Sequence, residues 1–267
     1  MSFQTIQFKI ENRVAWLVMN RPEMKNALNA EMREEMFLAL ADVAANDEVR
    51  CLVVTGAGSG FCSGADLSGG RAAASSNEPP HPGAVRAAMR QNSQRLIRAY
   101  WELEKPVVAA VNGVAAGFGA HLALACDLVV AAEEAKFIEV FVRRGIALDA
   151  GGAYLLMRRI GIAKAKELVF LGDDLPAREA ERIGLINRCV PVAELESVTR
   201  ELAERLAQGP TFALGMSKRL LNRSLESDLE TAFSEEAFAQ SLVAQSQDIK
   251  EGMRAFMEKR PPQFKGK

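Results

Sequence analysis

The pattern of apolar and polar residues divides the chain into a strand-rich first part and a helical last part. Residues 3–10 alternate between apolar and polar side chains, and residues 14–19 form a second apolar run after a short turn, which predicts a β-hairpin. Two later predicted strands, residues 50–55 and 107–111, contain apolar runs without alternation, at 51–54 and 107–111. Such runs are typical of strands that are covered on both faces of a parallel sheet.

Apolar residues at helical spacing predict helices between and after these strands. Asn29 is the expected N-cap of a helix from Ala30 to Ala45, and a helix over residues 85–104 leads into the central strand. Shorter elements are predicted as strands over 128–131, 135–138 and 185–190 and as helices over 161–171 and 176–183. From residue 192 onward the pattern predicts helices alone, over 192–208, 211–222, 229–247 and 248–259.

This order of elements predicts an α/β core followed by a helical appendage. The C-terminal helices are amphipathic, so their apolar faces need a partner, which is either the core or another subunit. The chain has 267 residues, of which 49% are hydrophobic, and this is enough for one large α/β domain with such an appendage.

Composition narrows the classes of function. The net charge of −1 and the absence of a basic stripe argue against nucleic acid as a main partner. No run of about 18 apolar residues and no signal peptide are visible, so neither a membrane span nor export is expected. The four cysteines lack CxxC spacing and there are only two histidines, so we expect no metal site. A reduced, cytoplasmic protein is predicted.

Residues 68–83 are rich in Gly, Ser and Pro and predict a mobile loop. Because this stretch directly follows a glycine-rich turn, it is either a flap over a pocket or a solvated insertion without a role.

Two of the buried strands each run into a turn of small residues. Thr55 is followed by GAGSGFCSGADL, and Val111 is followed by NGVAAGFGA and then a helix. The carboxyl ends of parallel strands lie on one edge of the sheet, so the two turns can each donate a main-chain N–H to one oxygen. The candidate donors are Ala65 and Phe118 or their neighbours, and such a donor stabilises an oxyanion by roughly 3 kcal/mol. The alternative is a pair of tight packing turns.

Several motifs in the same order resemble the crotonase family, that is, the enoyl-CoA hydratase/isomerase superfamily. FCSGADL is followed about fifty residues later by KPVVAAVNGVAAGFGAHLALACDL. The segments NRPEMKNALN, FLGDDLPAREAERIGLINRCVP and EGMRAFMEKRPPQF are also similar to family segments, so the resemblance covers essentially the whole chain.

The resemblance implies a spiral of ββα units with an acyl-CoA cleft in residues 1–195, and a helical trimerisation region in residues 196–267. It implies an acyl-CoA thioester substrate, with coenzyme A as part of the substrate rather than a separate cofactor, and a homotrimer or a dimer of trimers. The thioester oxygen would be held by the N–H groups of Ala65 and Phe118. Residues expected along the coenzyme A moiety are Lys25, Ala27, Leu28, Ala65, Asp66 and Leu67.

The acid/base positions depart from the hydratase pattern. Hydratases of this family use two glutamates, which would fall at His121 and Phe141, and neither is a carboxylate here. Asp149 remains, at a position where isomerases and dehalogenases of the family carry a working aspartate. A lone carboxylate can take a proton from one carbon and return it to another, which moves a double bond. The alternative for Asp149 is an N-cap of a helix that begins at Ala150.

Other interpretations of these residues stay open at this point. His121 is either a base or hydrogen-bond donor to substrate, or a helix-packed histidine bonded to a backbone carbonyl. Glu139 either reaches the site or is exposed, and Asp66 is expected to be a turn or cap residue. Arg143 and Arg144 either pair with carboxylates, cover a subunit contact or form a solvated face. The sequence therefore favours an enoyl-CoA isomerase that uses Asp149, with two alternatives. These are an enoyl-CoA hydratase that uses His121 or Glu139, and a non-catalytic acyl-CoA-binding protein.

Overall fold

The computed structural model describes residues 3–67 and 81–267. Within these residues, no helix combines the length and the apolar character that a membrane crossing requires. Of the predicted loop over residues 68–83, residues 68–80 lie outside the described part of the chain, and a helix begins at Pro82.

A six-stranded sheet forms the larger layer of the fold. Its strands run in the order β1, β2, β3, β5, β7, β10, with β1 antiparallel to β2 and all the other pairs parallel. The bounds are β1 Ile6–Glu11, β2 Val14–Met19, β3 Cys51–Gly56, β5 Val107–Val111, β7 Leu128–Ala132 and β10 Arg188–Val190. The predicted hairpin and the predicted buried strands are therefore confirmed.

A smaller sheet runs beside the first in the order β4, β6, β8, β9. Its strands are β4 Gly60–Cys62, β6 Val114–Ala116, β8 Lys136–Ile138 and β9 Asp174–Pro176. Strands β3, β5 and β7 of the larger sheet each continue directly into a strand of the smaller sheet, so the chain advances as a spiral. The predicted spiral of ββα units is thus confirmed, although β4 and β6 lie where the sequence predicted only turns.

The described residues form ten α-helices, some of which cover the two faces of the larger sheet. They are α1 Ala30–Ala45, α2 Pro82–Gln91, α3 Ser93–Glu102, α4 Phe118–Ala125, α5 Gly152–Leu171, α6 Ala177–Arg182, α7 Leu195–Ala207, α8 Thr211–Ser224, α9 Leu229–Val243 and α10 Gln247–Glu258. Alternate residues of β2 and β3 point to opposite faces, so Leu17 and Val54 join the core with α1 and α4, whereas Trp16 and Val53 pack with α7. This arrangement fits strands that are apolar on both faces.

Some predicted boundaries differ from the structure. The helix predicted over 85–104 is two helices, because Asn92 adopts a non-helical backbone conformation between α2 and α3. The predicted N-cap is confirmed, since the Asn29 side chain accepts a hydrogen bond from the N–H of Met32 at 2.8 Å. Helix α5 contains a non-helical residue at Gly161, where the sequence predicted a new helix.

The last three helices expose large apolar side chains. Leu221, Leu229, Phe238 and Phe256 are all more than half exposed. Exposed aromatic and aliphatic side chains grouped in one region of a chain are typical of a surface that contacts another protein.

Candidate active site

The two small-residue turns meet in space. A Cβ atom on Gly119 would lie 2.0 Å from the carbonyl oxygen of Cys62, and a Cβ on Gly64 would lie 3.0 Å from that of Ala116 and 3.9 Å from the nitrogen of Phe118. Gly64 also has a φ of +105°, which side chains disfavour. The sequence expectation that the two turns share one edge of the sheet therefore agrees with the structure.

Both candidate N–H donors lie at this junction. Phe118 is the first residue of α4, where a main-chain N–H has no acceptor within its own helix. Ala65 forms a parallel bridge with Leu28, in which Leu28 donates to the Gly64 carbonyl at 2.8 Å and accepts from the Asp66 N–H at 2.9 Å. Because main-chain groups of an extended segment alternate in direction, the Ala65 N–H points away from Leu28. Neither N–H donates to an acceptor among the described residues.

The segment predicted to lie along coenzyme A packs against the same turn. Ser63 donates its N–H to the Lys25 carbonyl at 2.9 Å, which adds to the Leu28 bridge. Ala27 and Leu28 are buried and Lys25 is exposed. The structure therefore brings these residues together with Ala65, and their contact with coenzyme A stays a prediction.

Asn26 holds this segment in place, and the sequence analysis did not single it out. Its side chain is fully buried and donates to the carbonyls of Ala57 and Gly60 at 2.9 and 2.7 Å, while its oxygen accepts from the N–H of Arg21 at 2.9 Å. Asn26 also adopts a positive φ of 57°, a conformation for which asparagine is better suited than most residues. The available signal was an asparagine in the connection between β2 and α1, because asparagine tolerates positive φ better than most residues.

Asp66 lies beside this segment as one partner of an ion pair. Its Oδ2 is 2.9 Å from Nη2 of Arg21, and both side chains are largely buried. Asp66 therefore has a specific partner that neither the turn nor the cap interpretation named. Leu67, at the end of the described stretch, is 60% exposed.

His121 and Glu139 form a buried pair beside the second turn. Nε2 of His121 lies 3.0 Å from Oε2 of Glu139, and the two residues are 0% and 4% exposed. The imidazole stacks on the ring of Phe141 with a centroid separation of 5.4 Å and an interplanar angle of 8°. The interpretation of Glu139 as an exposed residue and that of His121 as a partner of a backbone carbonyl are therefore wrong.

The surroundings of His121 indicate its tautomer. Nδ1 is buried and has no hydrogen-bond partner among the described residues. A buried N–H without an acceptor costs about 1–3 kcal/mol, whereas a bare nitrogen lone pair carries no unpaired proton. We therefore place a proton on Nε2, which donates to the carboxylate of Glu139 at 3.0 Å.

Asp149 lies on the loop that leads into α5, next to this pair. The N-cap of α5 is Gly151, and the side chain of Asp149 makes no cap hydrogen bond, so the N-cap interpretation is wrong. Instead the Gly152 N–H donates to the main-chain oxygen of Asp149 at 2.9 Å. The Asp149 carboxylate is half-buried and makes no hydrogen bond to any residue that the structure describes.

The environment of Asp149 favours its protonated form more than water does. Burial raises the pKa of Asp149 above its ordinary value. Positive charge on His121 lowers this pKa, whereas the negative charge of Glu139 raises it. A carboxyl group with a raised pKa can both accept and return a proton closer to neutral pH, as acid/base chemistry on carbon requires.

Two further expectations from the sequence concern Arg143 and a metal site. Arg143 donates to the carboxylate of Asp174 at 2.8 Å on the surface, which agrees with the interpretation that it pairs with a carboxylate. Across residues 3–67 and 81–267, no group of three or more His, Cys, Asp or Glu side chains is arranged to hold a metal ion.

Known proteins resemble this chain over nearly its full length. The sequence profile of the family described as enoyl-CoA hydratase/isomerase matches residues 9–267. A Rhodobacter capsulatus protein named as a probable enoyl-CoA hydratase is 41% identical over 267 residues, which is 100% of both chains. A 1,2-epoxyphenylacetyl-CoA isomerase of Escherichia coli is 40% identical over 258 residues, 97% of each chain. The crystal structure of an enoyl-CoA hydratase/isomerase from Cupriavidus metallidurans has a TM-score of 0.91 at 34% identity and covers 100% of this chain and 98% of its own.

Proposed function

The chain belongs to the enoyl-CoA hydratase/isomerase family, and on that basis we propose that it is an enoyl-CoA isomerase in which Asp149 moves the proton. One observation carries the choice of isomerase. His121 and Glu139 bind each other at 3.0 Å in a buried pair, whereas Asp149 is half-buried and has no hydrogen-bond partner among the described residues. Asp149 is thus the carboxylate that is free to reach a substrate carbon.

The proposed reaction needs one carboxylate and one oxyanion site. The N–H groups of Ala65 and Phe118 would bind the thioester oxygen and stabilise the negative charge that builds on it as the enolate forms. Asp149 would take the proton from the carbon next to the thioester carbonyl of a 3-enoyl-CoA. It would then return that proton to the far carbon of the original double bond, so the double bond moves into conjugation and no other reactant is consumed. The similarity to a protein named as a CoA-ester isomerase supports this class of reaction.

The test is the Asp149→Asn variant assayed with a 3-enoyl-CoA, with product followed by the absorbance of the conjugated thioester. We expect kcat to fall by about 10²–10⁴-fold, because asparagine cannot exchange a proton. The matched control is Asp47→Asn, which makes the same change at an exposed aspartate between α1 and β3 and should leave kcat unchanged. Unchanged turnover in Asp149→Asn would exclude the proposal. Saturable acyl-CoA binding by the wild type without turnover of any thioester would indicate a binding protein instead.

A second candidate is an enoyl-CoA hydratase, which the names of other relatives favour. Addition of water to a 2-enoyl-CoA would then depend on His121 or Glu139. Assay of crotonyl-CoA separates the two functions, since hydration removes the conjugated absorbance that isomerisation creates. Hydration that is fast in the wild type and lost in Glu139→Gln, while Asp149→Asn keeps it, would favour the hydratase.

We also propose that a second copy of the chain covers the exposed apolar side chains of α9 and α10. Phe233, Phe238, Phe256 and Met257 are each more than half exposed, and burying such side chains is worth roughly 1.5–3 kcal/mol apiece. The expected assembly is a homotrimer or a dimer of trimers, which mass measurement by light scattering tests directly. A monomer at micromolar concentration would contradict it.

A further inference from the structure

The ring of His121 is held on three sides. Phe141 stacks on one face of the ring, and Glu139 binds its Nε2. The third contact is the start of α5, where a Cβ atom on Gly152 would lie 2.3 Å from both Cε1 and Nε2 of the imidazole. These three contacts fix the orientation of the ring, and the first turn of α5 rests directly on it.

The same contact fixes the loop that carries Asp149. Gly152, which touches the ring, donates its N–H to the main-chain oxygen of Asp149 at 2.9 Å. Between them, Ala150 and Gly151 both have positive φ values, 45° and 80°. A non-glycine residue at positive φ is strained and persists only where its surroundings hold it, so this loop depends on the contacts at its two ends.

We propose that His121 and Glu139 form a positioning pair for Asp149. The His121 ring sets the place of the loop, and the Glu139 carboxylate holds the ring and adds a negative charge beside the site. The proposal rests on the proposed role of Asp149. In the family pattern the position of His121 belongs to a catalytic glutamate, whereas here it is a buried group that acts through its neighbour.

The electrostatic part of the proposal has a definite sign. The titratable side chains that act on the Asp149 carboxylate are His121 from α4 and Glu139 from the segment after β8, within the residues that the structure describes. Positive charge on His121 lowers the pKa of the Asp149 carboxyl, and the group that opposes it is Glu139. Its negative charge disfavours the ionised form of Asp149 and so raises the pKa of that carboxyl.

The first test is Glu139→Gln, which keeps the size of the side chain and an oxygen that accepts the His121 Nε2–H but removes the charge. The acid limb of kcat/KM for a 3-enoyl-CoA should move to lower pH, because the charge that raises the pKa of the Asp149 carboxyl is gone. A limb at the wild-type position would overturn the electrostatic part, since a purely structural pair would not shift it.

The second test is Gly152→Ala, which forces a methyl group against the His121 ring. We expect kcat to fall by about 100-fold with KM within a few-fold of the wild type, because displacing a reacting group by about 1 Å has that effect. An unchanged kcat in a folded variant would overturn the positioning part. The failures are distinguishable: full activity in Asp149→Asn removes the proposed function, whereas an inactive Asp149→Asn together with wild-type behaviour of Glu139→Gln and Gly152→Ala removes the positioning pair alone.

Discussion

The Cα atom of Gly119 packs so closely on Cys62 that a side chain at position 119 would lie 2.0 Å from the Cys62 carbonyl oxygen. Gly119 lies in the first turn of α4 and Cys62 at the end of β4, so this contact joins the two turns that carry Phe118 and Ala65. The spacing of the two N–H groups depends on it.

We therefore expect Gly119→Ala to lose activity and stability together. The added methyl group must push the two turns apart, which misplaces one N–H donor and should lower kcat by about 10²-fold or more. A suitable control is Gly252→Ala, in helix α10, where the nearest atom to an added Cβ is a ring carbon of Phe264 at 3.4 Å. That change should be neutral or stabilise the protein by up to about 1 kcal/mol. Equal kcat values for the two variants would contradict the role of the Gly119 contact.

The pH dependence of catalysis should report the raised pKa of Asp149. Asp149 must be ionised to take a proton, and burial is the largest cause that raises its pKa. Activity should therefore fall as pH drops through a value above 3.8, the ordinary value for aspartate, and the limb should have unit slope. A pH profile of kcat/KM measures this value in the free enzyme. An acid limb at or below 3.8 would show that another group limits the reaction.

Asn26→Asp should destabilise the protein and weaken acyl-CoA binding. The carboxylate that replaces the amide would face the carbonyl oxygens of Ala57 and Gly60 without a proton to donate. Buried groups left unpaired in this way cost about 1–3 kcal/mol each, and more when charged. Chemical denaturation gives the change in unfolding free energy, and the KM for the thioester reports the displaced 25–28 segment.

The matched control is Asn46→Asp. Its side-chain oxygen accepts the N–H of Glu48 at 3.1 Å, and a carboxylate keeps that acceptor at a partly exposed site. If both variants unfold with the same free energy, then Asn26 does not hold the segment through its amide protons.

Acid should weaken the fold in part through Glu35. Burial raises the pKa of this carboxyl, but hydrogen bonds from Thr5 and Gln4 lower it more, so the folded-state pKa lies below the ordinary value of 4.5. The stabilisation is therefore complete above about pH 4.5 and is lost as pH falls through the lowered folded-state value. The Tm of the wild type should decline more steeply in this range than that of Glu35→Gln. The exposed neighbour Glu34 supplies the control, since Glu34→Gln should follow the wild-type curve.

Local sequence determined the elements that depend on near neighbours. The unbroken apolar runs at residues 107–111 and 51–54 specified strands that are buried on both faces, and the structure places them at the centre of the larger sheet. Asn29 specified a helix start by the same local logic, because its side chain bonds an N–H three residues away. The small residues of both turns and the position of Asp149 could also be identified without coordinates.

Tertiary structure decided which distant residues meet. Glu139 lies 18 residues after His121, and only the passage from α4 through β7 and β8 brings the two side chains together. Asn26 reaches Gly60 across 34 residues in the same way. Periodicity and turn chemistry are set by residues a few positions apart, whereas these contacts exist only once the spiral has closed. The sequence could therefore name the candidate groups. The fold alone determined that Glu139 binds the His121 ring, whereas the Asp149 carboxylate makes no hydrogen bond to a described residue.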